Sequence, residues 1–124
     1  LKWQTSCTPN VLGIYLLMRV MEKVKPIGSI HKITETRYRD WINIVGKQSK
    51  LRHLIRNEAV RSLTVLPLEA DEKTIRKVKN SAKANGFLLG DGYGDLKPTT
   101  LRIANFPAIT DREVKALMKF LRKH

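Results

Sequence analysis

The chain has 124 residues, the length of one domain, and carries 24 lysines and arginines against 11 aspartates and glutamates, for a net charge of +13. Its apolar share of 42% is that of an ordinary globular protein, and no run of about 18 apolar residues predicts a membrane span. One cysteine, Cys7, excludes an internal disulfide and favours a reducing compartment, so we expect a cytoplasmic location.

The first helix is predicted to start in "CTPNVLGIYLLMRVMEKVK", with Thr8 as its N-cap and Pro9 at its first helical position. Its apolar residues cover almost the whole circumference, which is typical of a helix packed on more than one side. We therefore expect a second domain or a second subunit against it. The sequence starts without a methionine and without a signal-peptide pattern, so we expect it to lie inside a longer protein.

A second helix is predicted from a cap at Ser29 to about Gly46, because apolar residues recur at spacings of three and four residues. Short strands follow in "KLRHLI" and "RSLTVLPLEA", where Pro67 predicts a strand end or a sheet edge. Asp71 caps a third helix with Gly86 at its end, and its inner face is predicted to be Ile75, Val78 and Ala82.

The remaining elements are a strand in "FLL", a loop in "GDGYGDLKPT", a strand in "TLRIANF" and a last helix. That helix opens with a capping box between Thr110 and Glu113 and has an apolar stripe at Val114, Leu117, Met118 and Leu121. The sequence therefore predicts an α+β fold: a small, largely antiparallel sheet of three or four strands with helices packed on one face.

Several apparent motifs fail on their spacing. The segment "GDGYGD" reads G-x-G-x-G between strands and does not open a helix, so it is no dinucleotide loop. His31, His53 and His124 lie far apart without partners at ligand spacing, so we expect no metal site. The carboxylates are few, and most of them lie at predicted helix starts. There they are explained by helix capping and by the favourable interaction of a negative charge with the helix dipole.

The charge of +13 also allows a stand-alone basic module that binds nucleic acid. The basic residues are scattered, however, and aromatic residues make up only 6% of the chain. Solvated helix faces explain such a pattern better, and nucleic acid is the disfavoured alternative. Attraction to a small anion or an acidic partner is the third interpretation.

Arg102 stands out because it interrupts an apolar strand, "TTLRIAN", that follows the glycine-rich segment. Alternation places Leu101 and Ile103 on one face and Arg102 with Ala104 on the other. A guanidinium held on a strand can clamp a carboxylate with two hydrogen bonds. An ordinary exposed arginine is the alternative.

The chain resembles the C-terminal part of the class V, fold-type I pyridoxal-phosphate aminotransferases. The resemblance rests on "TPNVLGIYLLMRVME" near the start, "LRIANFPAITDREVKALMKFLRK" at the end, and the strand–helix–strand segment between them. The phosphoserine aminotransferases are the most similar branch. In this family Arg102 corresponds to the arginine that binds the substrate's α-carboxylate. Thr8 corresponds to the threonine that reaches the cofactor phosphate of the neighbouring subunit.

The resemblance implies that residues 1–28 form a helix leading from a large pyridoxal-phosphate-binding domain, and that residues 29–124 form the small C-terminal domain. It also implies a homodimer, pyridoxal 5'-phosphate as cofactor, and small amino and 2-oxo acids as substrates. The expected reaction transfers an amino group from L-glutamate to 3-phosphooxypyruvate in serine biosynthesis. A serine–pyruvate or alanine–glyoxylate type aminotransferase, or another class V relative, is the alternative.

The sequence departs from the phosphoserine branch at two places. Cys7 stands where that branch commonly has asparagine, and Asp95 and Leu96 stand where it commonly has a His-Arg pair that handles the substrate's distal acid. Lys97 is the candidate to take over the role of that pair. The family's Schiff-base lysine lies upstream of this segment, so no catalytic residue is assigned here and we expect this chain alone to be inactive.

Overall fold

The structure, a computed structural model, describes residues 7–48 and 50–123, and it describes no side chains for residues 46–48. The described residues form four α-helices and four strands. In chain order they are α1 (Val11–Lys23), α2 (Ile27–Gln48), β1 (Arg52–His53), β2 (Val65–Glu69), α3 (Glu72–Ala84), β3 (Gly90–Asp91), β4 (Thr100–Ala104) and α4 (Asp111–Leu121).

The four strands form one antiparallel sheet in the order β1-β2-β4-β3. The predicted α+β class with its antiparallel sheet is therefore confirmed. Strand β2 lies inside the sheet, paired with β4 over its full length, so the prediction that Pro67 ends a strand or marks an edge is wrong. The Pro67 carbonyl accepts from the Leu54 N–H at 3.1 Å on the β1 side. Because proline has no N–H to return that bond, the pairing of β1 stops there.

Helices α2, α3 and α4 cover one face of the sheet. Alternate residues of the two central strands point into this layer, and all four are almost fully buried: Leu66, Leu68, Leu101 and Ile103. The predicted inner faces of α3 and α4 meet them, and α2 adds Trp41, which has no exposed surface. Period-2 and period-3.6 patterns thus produce one shared core, as the sequence predicts.

Helix ends follow local signals in most cases. Asp71 caps α3 through the Thr74 N–H, and Gly86 follows α3 with φ of +80°, where the Phe87 N–H donates to Ala82 as in a Schellman motif. The capping box of Thr110 and Glu113 is present at α4. Ser29 is not a cap, since α2 begins two residues earlier and the Pro26 carbonyl accepts from the Ser29 and Ile30 N–H groups.

The predicted strand "FLL" is not a strand, and pairing starts only at Gly90. Phe87 instead packs against Phe120 of α4, with ring centroids 5.5 Å apart, while Leu88 is 88% exposed. One side of this apolar run packs against α4 and the other side is exposed to solvent. The run therefore does not pair with β4 in the sheet. Part of the segment predicted to be a loop is therefore β3, followed by a 3₁₀ turn over Gly94–Leu96.

Asn105 joins α2 to the segment that leads into β2. Its side chain is completely buried, and its Nδ2 donates to the Thr34 carbonyl at 3.0 Å and to the Leu63 carbonyl at 2.8 Å. Arg37 of α2 makes a second link, because its guanidinium donates to the Asp111 carboxylate that begins α4. These polar contacts fix how α2 lies against the rest of the domain.

Helix α1 contributes no buried residue. Its apolar side chains are about half to two-thirds exposed, for example Val11 at 67% and Leu17 at 59%. No helix of the described residues is long and apolar enough to cross a membrane. Such an apolar surface on one helix is typical of an interface with another protein body, and the predicted division at residue 28 stays a prediction.

Candidate functional site

Arg102 lies in the middle of β4, on the face opposite the helices. Its strand neighbours Leu101 and Ile103 are 0% and 1% exposed, whereas Arg102 is half-buried and Ala104 is exposed. The alternation predicted from the sequence is therefore the one that the structure has. The central position in β4 gives the Cα of Arg102 a fixed place, because its strand pairs on both sides at that residue.

The side chain of Arg102 is held by two hydrogen bonds and a ring. Its Nε donates to the Asp91 carbonyl at 2.6 Å, and its Nη1 donates to the Tyr93 hydroxyl at 2.8 Å. The guanidinium carbon also lies 4.2 Å from the centre of the Tyr93 ring, within the range of a cation–π contact. The charged group is thus positioned by its surroundings and is not a freely moving surface arginine.

Two glycines make room for this arrangement. Gly90 is paired with Arg102 across the ladder, and a Cβ at Gly90 would lie 3.3 Å from the Arg102 Cβ and 3.5 Å from its Nε. The absent side chain lets Arg102 lie across β3. A Cβ at Gly92 would lie 2.7 Å from the Leu96 carbonyl oxygen, so only glycine fits where the following segment turns back.

That segment is fixed by its own backbone hydrogen bonds. The Tyr93 carbonyl accepts from the Leu96 N–H at 3.1 Å, and the Gly92 N–H donates to Thr100 at 3.3 Å. Thr100 is 1% exposed although it belongs to the same strand face as Arg102, because this turn lies close over it. The turn therefore has a definite shape that carries Tyr93 onto the guanidinium.

Lys97 does not join Arg102 in this structure. Its Nζ lies 4.0 Å from the Asp91 carboxylate, which also forms an ion pair with Lys79 of α3. Asp91 is paired with Leu101, whose side chain faces the helices, so this carboxylate lies on the α3 side of the sheet. Lys97 thus reaches toward that ion pair, and its role toward a substrate stays a prediction.

A cavity of about 440 Å³ opens beside Arg102. It lies between α4 and the segment that precedes β3, where that segment no longer pairs with β4. Most of its wall is apolar, with Phe87, Leu89, Phe106 and Leu117 among the lining residues. Arg102 supplies positive charge to the wall, and Glu113 supplies a carboxylate that is also part of the α4 capping box.

Thr8 precedes α1 but does not cap it. Asn10 is the N-cap, with its Oδ1 accepting from the Gly13 N–H at 2.9 Å, so the predicted cap is wrong by two residues. An asparagine side chain satisfies an N–H group at the helix end as well as threonine does, and Asn10 directly precedes the first residue of α1. Thr8 is exposed, as are Cys7 and Pro9 beside it. The side-chain hydrogen bonds of Arg102 go to Asp91 and Tyr93, so the structure does not bring Thr8 and Arg102 together through a hydrogen bond within the described part of the chain.

The perturbed carboxylates belong to helix ends. Hydrogen bonds from Thr74 lower the pKa of Asp71, those from Thr110 lower the pKa of Glu113, and the Arg37 guanidinium lowers the pKa of Asp111. This supports capping rather than acid–base chemistry for them. No group of His, Cys, Asp and Glu that could hold a metal ion occurs in the described segments.

The sequence argument missed Tyr93. Its position in a glycine-rich segment just before the strand of Arg102 was visible, since aromatic residues are few in this chain. The contact itself depends on the 3₁₀ turn over Gly94–Leu96 and on the two-residue strand β3. Neither of those short elements has a pattern that periodicity can detect.

Comparison with solved structures shows a likeness in fold. The fold matches a crystal structure of a phosphoserine aminotransferase from Cytophaga hutchinsonii with a TM-score of 0.81 and 28% sequence identity. The match covers 97% of this chain and 34% of that protein, so the chain spans about a third of that protein's length. No family model and no curated protein sequence matches the chain. In fold, the chain is an α+β domain like the C-terminal fragment of that aminotransferase.

Proposed function

We propose that this chain is the C-terminal part of a pyridoxal-phosphate-dependent aminotransferase, and that the reaction is the phosphoserine one: amino transfer between L-glutamate and 3-phosphooxypyruvate. The observation that carries the proposal is Arg102, fixed by the Asp91 carbonyl and Tyr93 on the uncovered face of the sheet. The likeness to a phosphoserine aminotransferase over 97% of the chain supports it.

Arg102 would bind the α-carboxylate of the amino acid. Its Nε and one Nη1 hydrogen are engaged, which leaves three of its five N–H groups. These lie on Nη1 and Nη2, the end of the guanidinium that forms two parallel hydrogen bonds with a carboxylate. A strand-mounted group of this kind orients the substrate's α-carbon with little loss of conformational freedom on binding.

The Thr8 hydroxyl would donate a hydrogen bond to the cofactor phosphate of the neighbouring subunit. The donor set fits a phosphate, because the hydroxyl is exposed ahead of α1 and no acidic residue occupies the first turn of that helix. Bound pyridoxal phosphate supplies the electron sink for amino transfer. The exposed apolar surface of α1 fits the large domain and the second subunit that this arrangement requires.

The test uses the full polypeptide that contains this segment, loaded with pyridoxal phosphate. We expect Arg102→Ala to raise the KM for glutamate and for phosphoserine by an amount equivalent to about 2–5 kcal/mol, the cost of losing a charged hydrogen-bonded pair. Arg39→Ala is the matched control, because Arg39 lies exposed on α2 and pairs only with Glu35 among the described residues. An unchanged KM in Arg102→Ala would remove Arg102 from the site.

The choice of substrate needs its own comparison. Turnover with phosphoserine should exceed turnover with alanine, serine and cysteine as amino donors. Preference for alanine or serine would instead indicate the serine–pyruvate or alanine–glyoxylate type, and release of sulfur from cysteine would indicate another class V relative. The 124-residue chain alone should show no turnover with any of these donors, since we place the cofactor lysine outside it.

A further inference from the structure

We propose that Tyr93 and Arg102 act as one carboxylate-binding unit, in which Tyr93 positions the guanidinium and donates a hydrogen bond from its own hydroxyl to the bound anion. This inference rests on the proposed function, because it concerns the same carboxylate site. It adds a residue that the sequence argument did not single out and gives it a role in substrate binding.

The first step is the geometry of the guanidinium. The Asp91 carbonyl accepts from Nε at 2.6 Å, and the Tyr93 oxygen accepts from Nη1 at 2.8 Å. Two contacts at different nitrogens fix the plane of the group as well as its place. With the plane fixed, the remaining N–H groups of Nη1 and Nη2 point in one direction before any ligand arrives, which reduces the entropy lost on binding.

The second step is the ring of Tyr93. It lies 4.2 Å from the guanidinium carbon, so the Arg102 charge is held by a ring face and a hydroxyl of the same residue. Tyr93 itself is 74% exposed, so the contact does not arise from core packing. Its backbone is held by the 3₁₀ turn and by Gly92, which tolerates no side chain. An exposed tyrosine held in this manner serves the group that it touches.

The third step concerns the hydroxyl proton. A phenol has one donor and can accept at its oxygen. Because the Tyr93 oxygen accepts from Arg102, its O–H hydrogen is directed elsewhere, and no acceptor for it occurs within the described parts of the chain. An anion bound at Nη1 and Nη2 would lie beside this hydroxyl. The unit would therefore offer a carboxylate two guanidinium N–H groups and one O–H.

The experiment compares Tyr93→Phe, Tyr93→Leu, Arg102→Ala and the double variant Tyr93→Leu/Arg102→Ala in the full polypeptide with its cofactor. Two quantities are measured: the KM and kcat for glutamate, and the dissociation constant of glutarate by calorimetry. Glutarate has the two carboxylates of glutamate and no amino group, so its binding does not depend on catalysis. Tyr38→Phe is the control, because it removes a hydroxyl from a residue of α2 that packs against the core.

Tyr93→Phe keeps the ring and loses the hydroxyl. We therefore expect the KM for glutamate and the dissociation constant of glutarate to rise about 10-fold, with kcat nearly unchanged. Tyr93→Leu also loses the ring contact and should raise both by about 30-fold or more. In the Arg102→Ala background, Tyr93→Leu should add little, because the two residues act as one unit. The melting temperature should stay that of the wild type, given the exposure of Tyr93.

Wild-type values for both Tyr93 variants, with weakened binding in Arg102→Ala, would overturn this inference and leave the proposed function standing. Full additivity of the Tyr93 and Arg102 effects would overturn it too. Coupled loss of glutarate binding in a polypeptide without aminotransferase activity would support the carboxylate unit and contradict the proposed function. No effect of Arg102→Ala on glutarate would overturn both.

Discussion

Replacing Asn105 tests the polar link between α2 and the sheet. Its buried Nδ2 donates to the Thr34 and Leu63 carbonyls, so Asn105→Ala removes a hydrogen bond from each of these two carbonyls. Each lost bond costs about 1 kcal/mol, and the cost is higher where the group that loses it is buried. We expect the free energy of unfolding to fall by about 2–4 kcal/mol.

Asn105→Asp keeps the shape of the side chain but replaces the amide donor with a carboxylate oxygen, which accepts hydrogen bonds. A carboxylate would face two carbonyl oxygens at about the same 2.8–3.0 Å without solvent, so its pKa in the folded state would rise above that of the unfolded chain. The folded state then binds more protons, and stability must fall as pH rises through the interval between the two pKa values. At pH 7 the free energy of unfolding of Asn105→Asp should be lower than that of Asn105→Ala. This difference between the two variants should become smaller at acidic pH.

The assay is urea unfolding of the 124-residue chain at pH 7 and at pH 4.5, followed by circular dichroism. Asn43→Asp is the matched control, since Asn43 is exposed on α2. It should leave the free energy of unfolding within about 0.5 kcal/mol of wild type. The reasoning would be refuted by an Asn105→Asp variant as stable as this control, or by equal pH dependence in Asn105→Asp and Asn105→Ala.

Two further predictions concern a helix cap and a histidine. Thr110→Ala removes the side chain that accepts from the Glu113 N–H and should lower the free energy of unfolding by about 1 kcal/mol in the same assay, whereas Thr36→Ala, on an exposed helix position, serves as the control. Burial, with help from Arg61, lowers the pKa of His53 below the usual value of 6.5. As pH falls, the unfolded chain therefore takes up this proton first, and the free energy of unfolding should decline below about pH 6.5. His53→Gln should flatten that decline in the pH dependence of the urea midpoint, and an unchanged slope would show that His53 is not its source.

Local signals predicted the fold well where a single residue decides the geometry. Asp71, Gly86 and the Thr110–Glu113 box each end or begin a helix through atoms within four residues, so the sequence contains the whole cause. Arg102 belongs to the same group, because alternation along one strand determines its face. The domain class followed from the order of these elements.

The errors arose where contacts distant in the chain decide. Phe87 leaves the predicted strand because its ring packs on Phe120, and Pro67 stays in the sheet because β4 pairs with β2 along its full length. The cap of α1 is a local exception: Thr8 and Asn10 are both residue types that cap helices, and the structure has Asn10 in that role. Tyr93 reaches Arg102 through a turn whose shape depends on the space beside Gly92.

The sheet ends on each side in a strand of only two residues. Strand β1, stopped by Pro67, carries Arg52, and strand β3 carries Asp91. An exposed row of backbone groups can add a strand from another molecule, and a short, charged edge offers too few of them. Both edges therefore resist edge-to-edge aggregation, so the central apolar strands can be short and strongly hydrophobic without becoming a template for fibrils.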